Sequence, residues 1–222
     1  FGSRLRPTPP EPDFPWSRGG AAFAMGAGWG RVDTLEHRWF DAAEHGHAEG
    51  LRRLAAAGAG PELRDCRGLT ALMLAAAKGH EACILLLIKL GADLDASDGR
   101  GWTALTHAAV NGKDRSLLLL ADCGADLDAK DFLGTTAAMR AAIGGHERCL
   151  RLLVDYGADL QAKDNLGLAA VAHARRKGRI TCAHILEKSD TGALPLALLV
   201  SKSRKLLLEK EREASRRAWC GK

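Results

Sequence analysis

The side chains best suited to moving a proton are His80 and His146, which stand 66 residues apart with Lys113 midway between them. A general base needs a partner that orients it and a reacting atom within about 3 Å. A strict interval offers neither, because groups that recur with a period meet the same surroundings in each unit. Hydrogen bonding from one unit to the next is the expected use of these three positions. Asp93, Asp126 and Asp159 keep the same interval inside a repeated Gly-Ala-Asp and read as solvated turn residues. No nucleophile–base set stands outside the period, so no active site is expected and the chain reads as non-catalytic.

Metal and cofactor chemistry fares no better. Of six cysteines, Cys83, Cys149 and Cys182 occupy one recurring slot after a Gly-His or its equivalent, and no C-x-x-C pair occurs. Cysteine in a core slot is a small apolar residue, so neither a zinc site nor a disulfide framework is expected. All six thiols are expected free, which suits a reducing compartment, and the expected localisation is cytoplasmic. The Gly26–Gly30 string G-A-G-W-G follows a Pro-rich stretch and no strand, so it reads as linker and not as a phosphate loop. Gly26 after Met25 lacks the Ser or Thr that N-myristoylation prefers. No cofactor is expected.

The elements that carry these residues come from one pattern written three times. Residues 65–97 read DCRGLTALMLAAAKGHEACILLLIKLGADLDAS, residues 98–130 read DGRGWTALTHAAVNGKDRSLLLLADCGADLDAK, and residues 131–163 read DFLGTTAAMRAAIGGHERCLRLLVDYGADLQAK. Asp65, Asp98, Asp131 and Asp164 fall 33 residues apart, as do Gly68, Gly101, Gly134 and Gly167. A fixed period of this length marks a stacked array in which each unit buries its apolar face against its neighbours. The succession D-x-x-G-x-T-x-L, A-A-x-x-G-H and L-L-x-x-G-A-D resembles the ankyrin repeat. That resemblance implies an all-α solenoid of helix–turn–helix units joined by short finger turns.

The units fall at 33–64, 65–97, 98–130, 131–163 and 164–190. The first is degenerate and lacks a finger, and the last turns polar, as the ends of a solenoid must. Thr70, Thr103 and Thr136 are expected as helix N-caps. Gly91, Gly124 and Gly157 are expected to end the outer helices. The family's Thr-to-His pairing is expected only between Thr103 and His107. In the third unit's outer helix Leu119 is expected in the core.

Charge separates the array from its flanks. The net charge is +5 overall, of which residues 1–32 carry +2 and residues 202–222 carry +5, leaving the array near −2. Residues 1–32 hold five of the seven prolines and read as a disordered Pro/Gly-rich arm. Residues 191–222 suggest a basic amphipathic C-terminal helix. The array itself is not a basic nucleic-acid surface; only the tail offers one.

In an ankyrin array the finger tips and the exposed edge of the inner helices line a concave binding face. The resemblance puts Arg67, Leu69, Arg100, Trp102, Phe132, Leu133, Leu166 and Leu168 on the fingers. It puts Ala77, Lys78, Val110, Asn111, Ile143, Gly144, Arg176 and Lys177 on the helix edge. Apolar tips rimmed by arginine are the usual make-up of an interface hot spot. Trp102, Phe132, Leu133 and Leu166 are expected to stand exposed, and the fold is expected not to notice their loss. Leu85 and Leu118 suggest a second patch on the back, bare or covered by the C-terminal helix. The expected function is protein–protein binding as an adaptor, scaffold or assembly subunit. The alternative is a tail-directed module that meets an acidic membrane or nucleic acid, with no small-molecule substrate in either case.

Overall fold

The computed structural model describes residues 34–189; the Pro/Gly-rich arm, the expected C-terminal helix and Cys220 lie outside the described residues. Ten helices, and no strand among the described residues, form five successive pairs. They are α1 (Leu35–Glu44) with α2 (Ala48–Ala56), α3 (Ala71–Lys78) with α4 (Glu81–Lys89), α5 (Ala104–Val110) with α6 (Asp114–Asp122), α7 (Ala137–Gly144) with α8 (Glu147–Asp155), and α9 (Ala170–Arg176) with α10 (Ile180–Ser189). The first helix of each pair packs on the first helices of its neighbours, and the second helices do likewise. The arrangement is the all-α repeat solenoid that the period implies.

Each inner helix starts where a threonine turns back on it. Thr70, Thr103 and Thr136 accept from the amides of Met73, Thr106 and Met139 at 3.4, 3.3 and 3.5 Å. Each bond uses an amide that has no partner inside the helix, worth about 1 kcal/mol. Thr34 does the same for α1 with His37, whereas Ala169 leaves α9 without a side-chain cap. The outer helices end on Gly91, Gly124 and Gly157, each with positive φ, as expected of a left-handed cap.

Four-residue slots explain the stack. Ala75, Ala108, Ala141 and Ala174 are fully buried, so the inner helices approach closely on methyl groups. Leu87, Leu120, Leu153 and Leu186 recur on the outer helices, 0 to 4% exposed. Leu119, expected in the core, is only half-buried, and Leu117 and Leu120 take the interior instead. The cysteine slot faces the core as expected. Burial pushes the Cys83 and Cys149 thiols up to about 11 and raises Cys182 as well. In the third unit Ser116 fills this slot, and its hydroxyl is buried without a hydrogen-bond partner.

The histidines belong to this stack. His80 Nε2 donates to the carbonyl of Glu44 at 2.8 Å, and His146 Nε2 to that of Val110 at 2.9 Å. Each ring therefore takes up an orphan carbonyl at the end of the preceding unit's inner helix. Gly112 makes room for the ring: a Cβ there would lie 2.5 Å from His146 Nδ1.

Candidate protein-binding face

One carboxylate folds each finger. Asp65 Oδ1 accepts from the amides of Arg67 and Leu69, both at 2.8 Å. Asp98 Oδ1 does so for Arg100 and Trp102, Asp131 Oδ1 for Leu133 and Thr135, and Asp164 Oδ1 for Leu166 and Leu168, all at 2.8 to 2.9 Å. The turn closes with the amide of the glycine three residues on, as for Gly68 on the Asp65 carbonyl at 2.9 Å. This glycine has φ near +78° at Gly68, so another residue would be strained there.

The second carboxylate oxygen ties the finger to its own inner helix. Asp98 Oδ2 accepts from His107 Nε2 at 3.1 Å, and Asp164 Oδ2 from His173 Nε2 at 2.8 Å. Asp131 Oδ2 accepts from Arg140 and from the Thr135 hydroxyl. The Thr103–His107 pairing expected from the family pattern is therefore not formed. His107 binds the finger acid, and Thr103 instead lies 3.2 Å from the Thr106 hydroxyl. Burial pushes Asp98 and Asp131 up, but the amide and side-chain donors outweigh it and hold both below the ordinary carboxylate value. Burial also pulls His107 down, past the opposing influence of Asp98, so its neutral form is favoured.

Adjacent fingers join through their backbones. The amides of Gly99, Phe132 and Asn165 donate to the carbonyls of Arg67, Arg100 and Leu133 at 3.2, 3.3 and 3.0 Å. Lower down, carboxylates make a second ladder. Glu62, Asp95 and Asp128 accept from the amides of Asp93, Asp126 and Asp159 at 2.7 Å. Those three aspartates are exposed, yet they also accept the amide two residues on, so solvated turn residues understates them.

The eight predicted face residues divide on this framework. Phe132, Leu133 and Leu166 are 72, 62 and 76% exposed. Arg67 and Arg100 are also exposed, the first paired with Asp65 at 2.9 Å and the second with Asp98 at 3.7 Å. Leu69 is buried, and Leu168 is half-buried. Trp102 corrects the expectation of a fully exposed aromatic stripe. Its indole N–H donates to Asp131 Oδ2 at 3.1 Å, and its ring lies 4.2 Å from the Arg100 guanidinium and 4.8 Å from that of Arg140. An edge-on contact with His107 at 5.3 Å completes its surroundings. Its contacts hold the third and fourth units together, a role that sequence spacing does not display.

On the helix edge Lys78, Asn111, Arg176 and Lys177 are exposed, while Ala77, Val110, Ile143 and Gly144 are half-buried. On the back, Leu85 is 42% exposed, and Leu118 with Leu152 floors a shallow groove of about 280 Å³ beside Asp114, Arg115, Arg148 and Arg151. No group of His, Cys, Asp and Glu among the described residues is arranged to hold a metal ion. Nor is any helix among them long and apolar enough to cross a membrane.

Comparison with known proteins agrees with this geometry. The family model for ankyrin repeats (3 copies) matches residues 39–131 and 117–194. No curated protein matches the chain.

Proposed function

Because the chain belongs to the ankyrin-repeat family, whose repeats generally serve as protein–protein interaction modules, we propose that it is a non-catalytic adaptor, scaffold or assembly subunit that binds through its finger face. One observation carries the reading. Phe132, Leu133 and Leu166 are largely exposed at tips whose folding depends on Asp131 and Asp164, not on these side chains. Apolar side chains that a fold does not need, gathered in one row, mark a surface that another protein covers. The histidines support the non-catalytic part, since His80 and His146 are engaged between units and His107 and His173 with finger acids.

The test is a pull-down from native extract with the Phe132→Ser, Leu166→Ser double variant. The variant should keep its helical circular dichroism and lose the proteins that the native chain captures. Deleting residues 203–222 is the control for the tail-directed alternative. Normal capture by the finger variant, with capture abolished by the deletion, would transfer the function to the tail.

A further inference from the structure

The finger tips form a row with two chemically different halves. The third residue of each turn is, in order, Arg67, Arg100, Leu133 and Leu166, and all four side chains are exposed. The backbone bonds from Gly99 to Arg67, Phe132 to Arg100 and Asn165 to Leu133 place these turns side by side, so the order in sequence is the order in space. Phe132 stands beside the step from the cationic to the apolar half.

The acids of these turns face the other way. Asp98, Asp131 and Asp164 are buried, and Asp65 is 14% exposed at its side chain. Each is occupied by two backbone amides and by a side chain of its own unit; for Asp65 that side chain is Arg67 itself, held through Nε and Nη2, which leaves its Nη1–Nη2 edge for a ligand. The exposed acids of the fingers, Asp93, Asp95, Asp126, Asp128 and Asp159, lie instead in the ladder outside the turns. Every exposed charge within the four turns is therefore positive. The Arg100 guanidinium is held over the Trp102 ring, so it is presented in one orientation at little further entropic cost.

Resting on the binding-face reading above, we propose that the tip row takes a linear protein segment with acidic residues at one end and apolar residues at the other. Its carboxylates lie against Arg67 and Arg100, and its apolar side chains against Phe132, Leu133 and Leu166. Planar guanidinium groups accept carboxylates in two-point geometry, which fixes the direction of the segment as well as its charge. Fields of one sign also speed the encounter of an oppositely charged partner. A nucleic acid would match the arginines and leave three large apolar side chains against phosphate and sugar, so a peptide suits the row better.

The experiment uses the full chain and a displayed library of random 16-residue peptides as the probe. Enriched peptides should carry a cluster of Asp or Glu next to a cluster of Leu, Phe or Trp, in one order only. The Arg67→Gln, Arg100→Gln variant should bind them about three- to tenfold more weakly, the sum of two partly exposed charge pairs, and with little remaining salt dependence. Arg67→Lys, Arg100→Lys should recover most of the charge preference, which separates lost charge from a damaged finger. Neutral or basic enriched peptides, or acidic ones that ignore the glutamine variant, would overturn the partner class. The binding face would survive that result if the same peptides still failed on Phe132→Ser, Leu166→Ser. Peptides indifferent to both variants would remove the binding face too. Absence of any enrichment would exclude a linear segment as the ligand, while the native-extract capture above remains the separate measure of the face.

Discussion

The Trp102 indole N–H donates to the Asp131 carboxylate at 3.1 Å, so a side chain on the third unit's finger satisfies the acid that folds the fourth unit's finger. The contact adds to the helix packing, the Phe132–Arg100 backbone bond and the Asp159–Asp128 ladder bond that also join these two units. Trp102→Ala is expected to lower unfolding free energy by about 2–4 kcal/mol, from lost ring packing and a carboxylate deprived of a donor. Trp102→Phe keeps most of the ring and should cost about 1–2 kcal/mol. Urea melts of both variants check this, and an unchanged midpoint for the alanine variant would restore Trp102 to the role of a mere surface anchor.

Leu120 and Leu186 occupy the same slot two units apart. Leu120→Ala removes a fully buried side chain with units on both sides and should cost about 2–5 kcal/mol. The same change at Leu186, in the last unit, should cost distinctly less. Equal losses in denaturant would contradict nearest-neighbour stacking.

Ser116 stands in a slot that is cysteine in three other units, and its buried hydroxyl has no partner. An unmet hydroxyl costs on the order of 1–3 kcal/mol. Ser116→Cys should therefore raise stability by about 1 kcal/mol. A thermal melt that shifts downward would show that the serine makes a bond worth keeping.

Gly112 and Gly178 share a positive φ, 64° and 67°, but not their surroundings. At Gly178 a Cβ meets nothing within 4 Å, whereas at Gly112 it would strike the His146 ring. Gly178→Ala should cost about 1–2 kcal/mol from backbone strain alone. Gly112→Ala should cost at least about 1 kcal/mol more, because the bond from His146 to Val110 must break. The imidazole resonances of His146 should shift in the second variant only.

Stability should fall in acid, by two routes of the same sign. Burial keeps the His107 pKa lowered, so its contribution is complete above about 6.5 and fades as pH falls below that value. Donors to Asp98, Asp131 and Asp164 hold their carboxyls low, so their contribution is complete above about 3.9 and is lost as pH falls through the lower folded values. The melting temperature should decline gently below pH 6.5 and steeply below pH 4. His107→Leu, the residue that stands at position 74 in the second unit, should remove part of the gentle phase. A melting temperature that rises from pH 7 to pH 5 would contradict both assignments.

The 33-residue period determined the solenoid, the threonine caps, the glycine stops and the cysteine slot. Each of these depends on a residue's place within its own unit, and repetition displays that place several times over. The period also pointed His80 and His146 toward the neighbouring unit, since only a neighbour recurs at the same interval. What it could not assign is the direction of a side chain that chooses between solvent and the next finger. Trp102, Phe132 and Leu133 all sit on turns, yet Trp102 folds onto Asp131 while the other two stand in solvent. That choice depends on Arg140 and Asp131, one unit away in sequence and adjacent only after stacking. The same holds for His107, whose partner among Thr103 and Asp98 was settled by where the finger turn presents its second carboxylate oxygen. Local pattern fixes the backbone because caps and turns are made within a few residues; the finger face is decided by tertiary structure because its side chains answer to neighbours that stacking alone brings within reach.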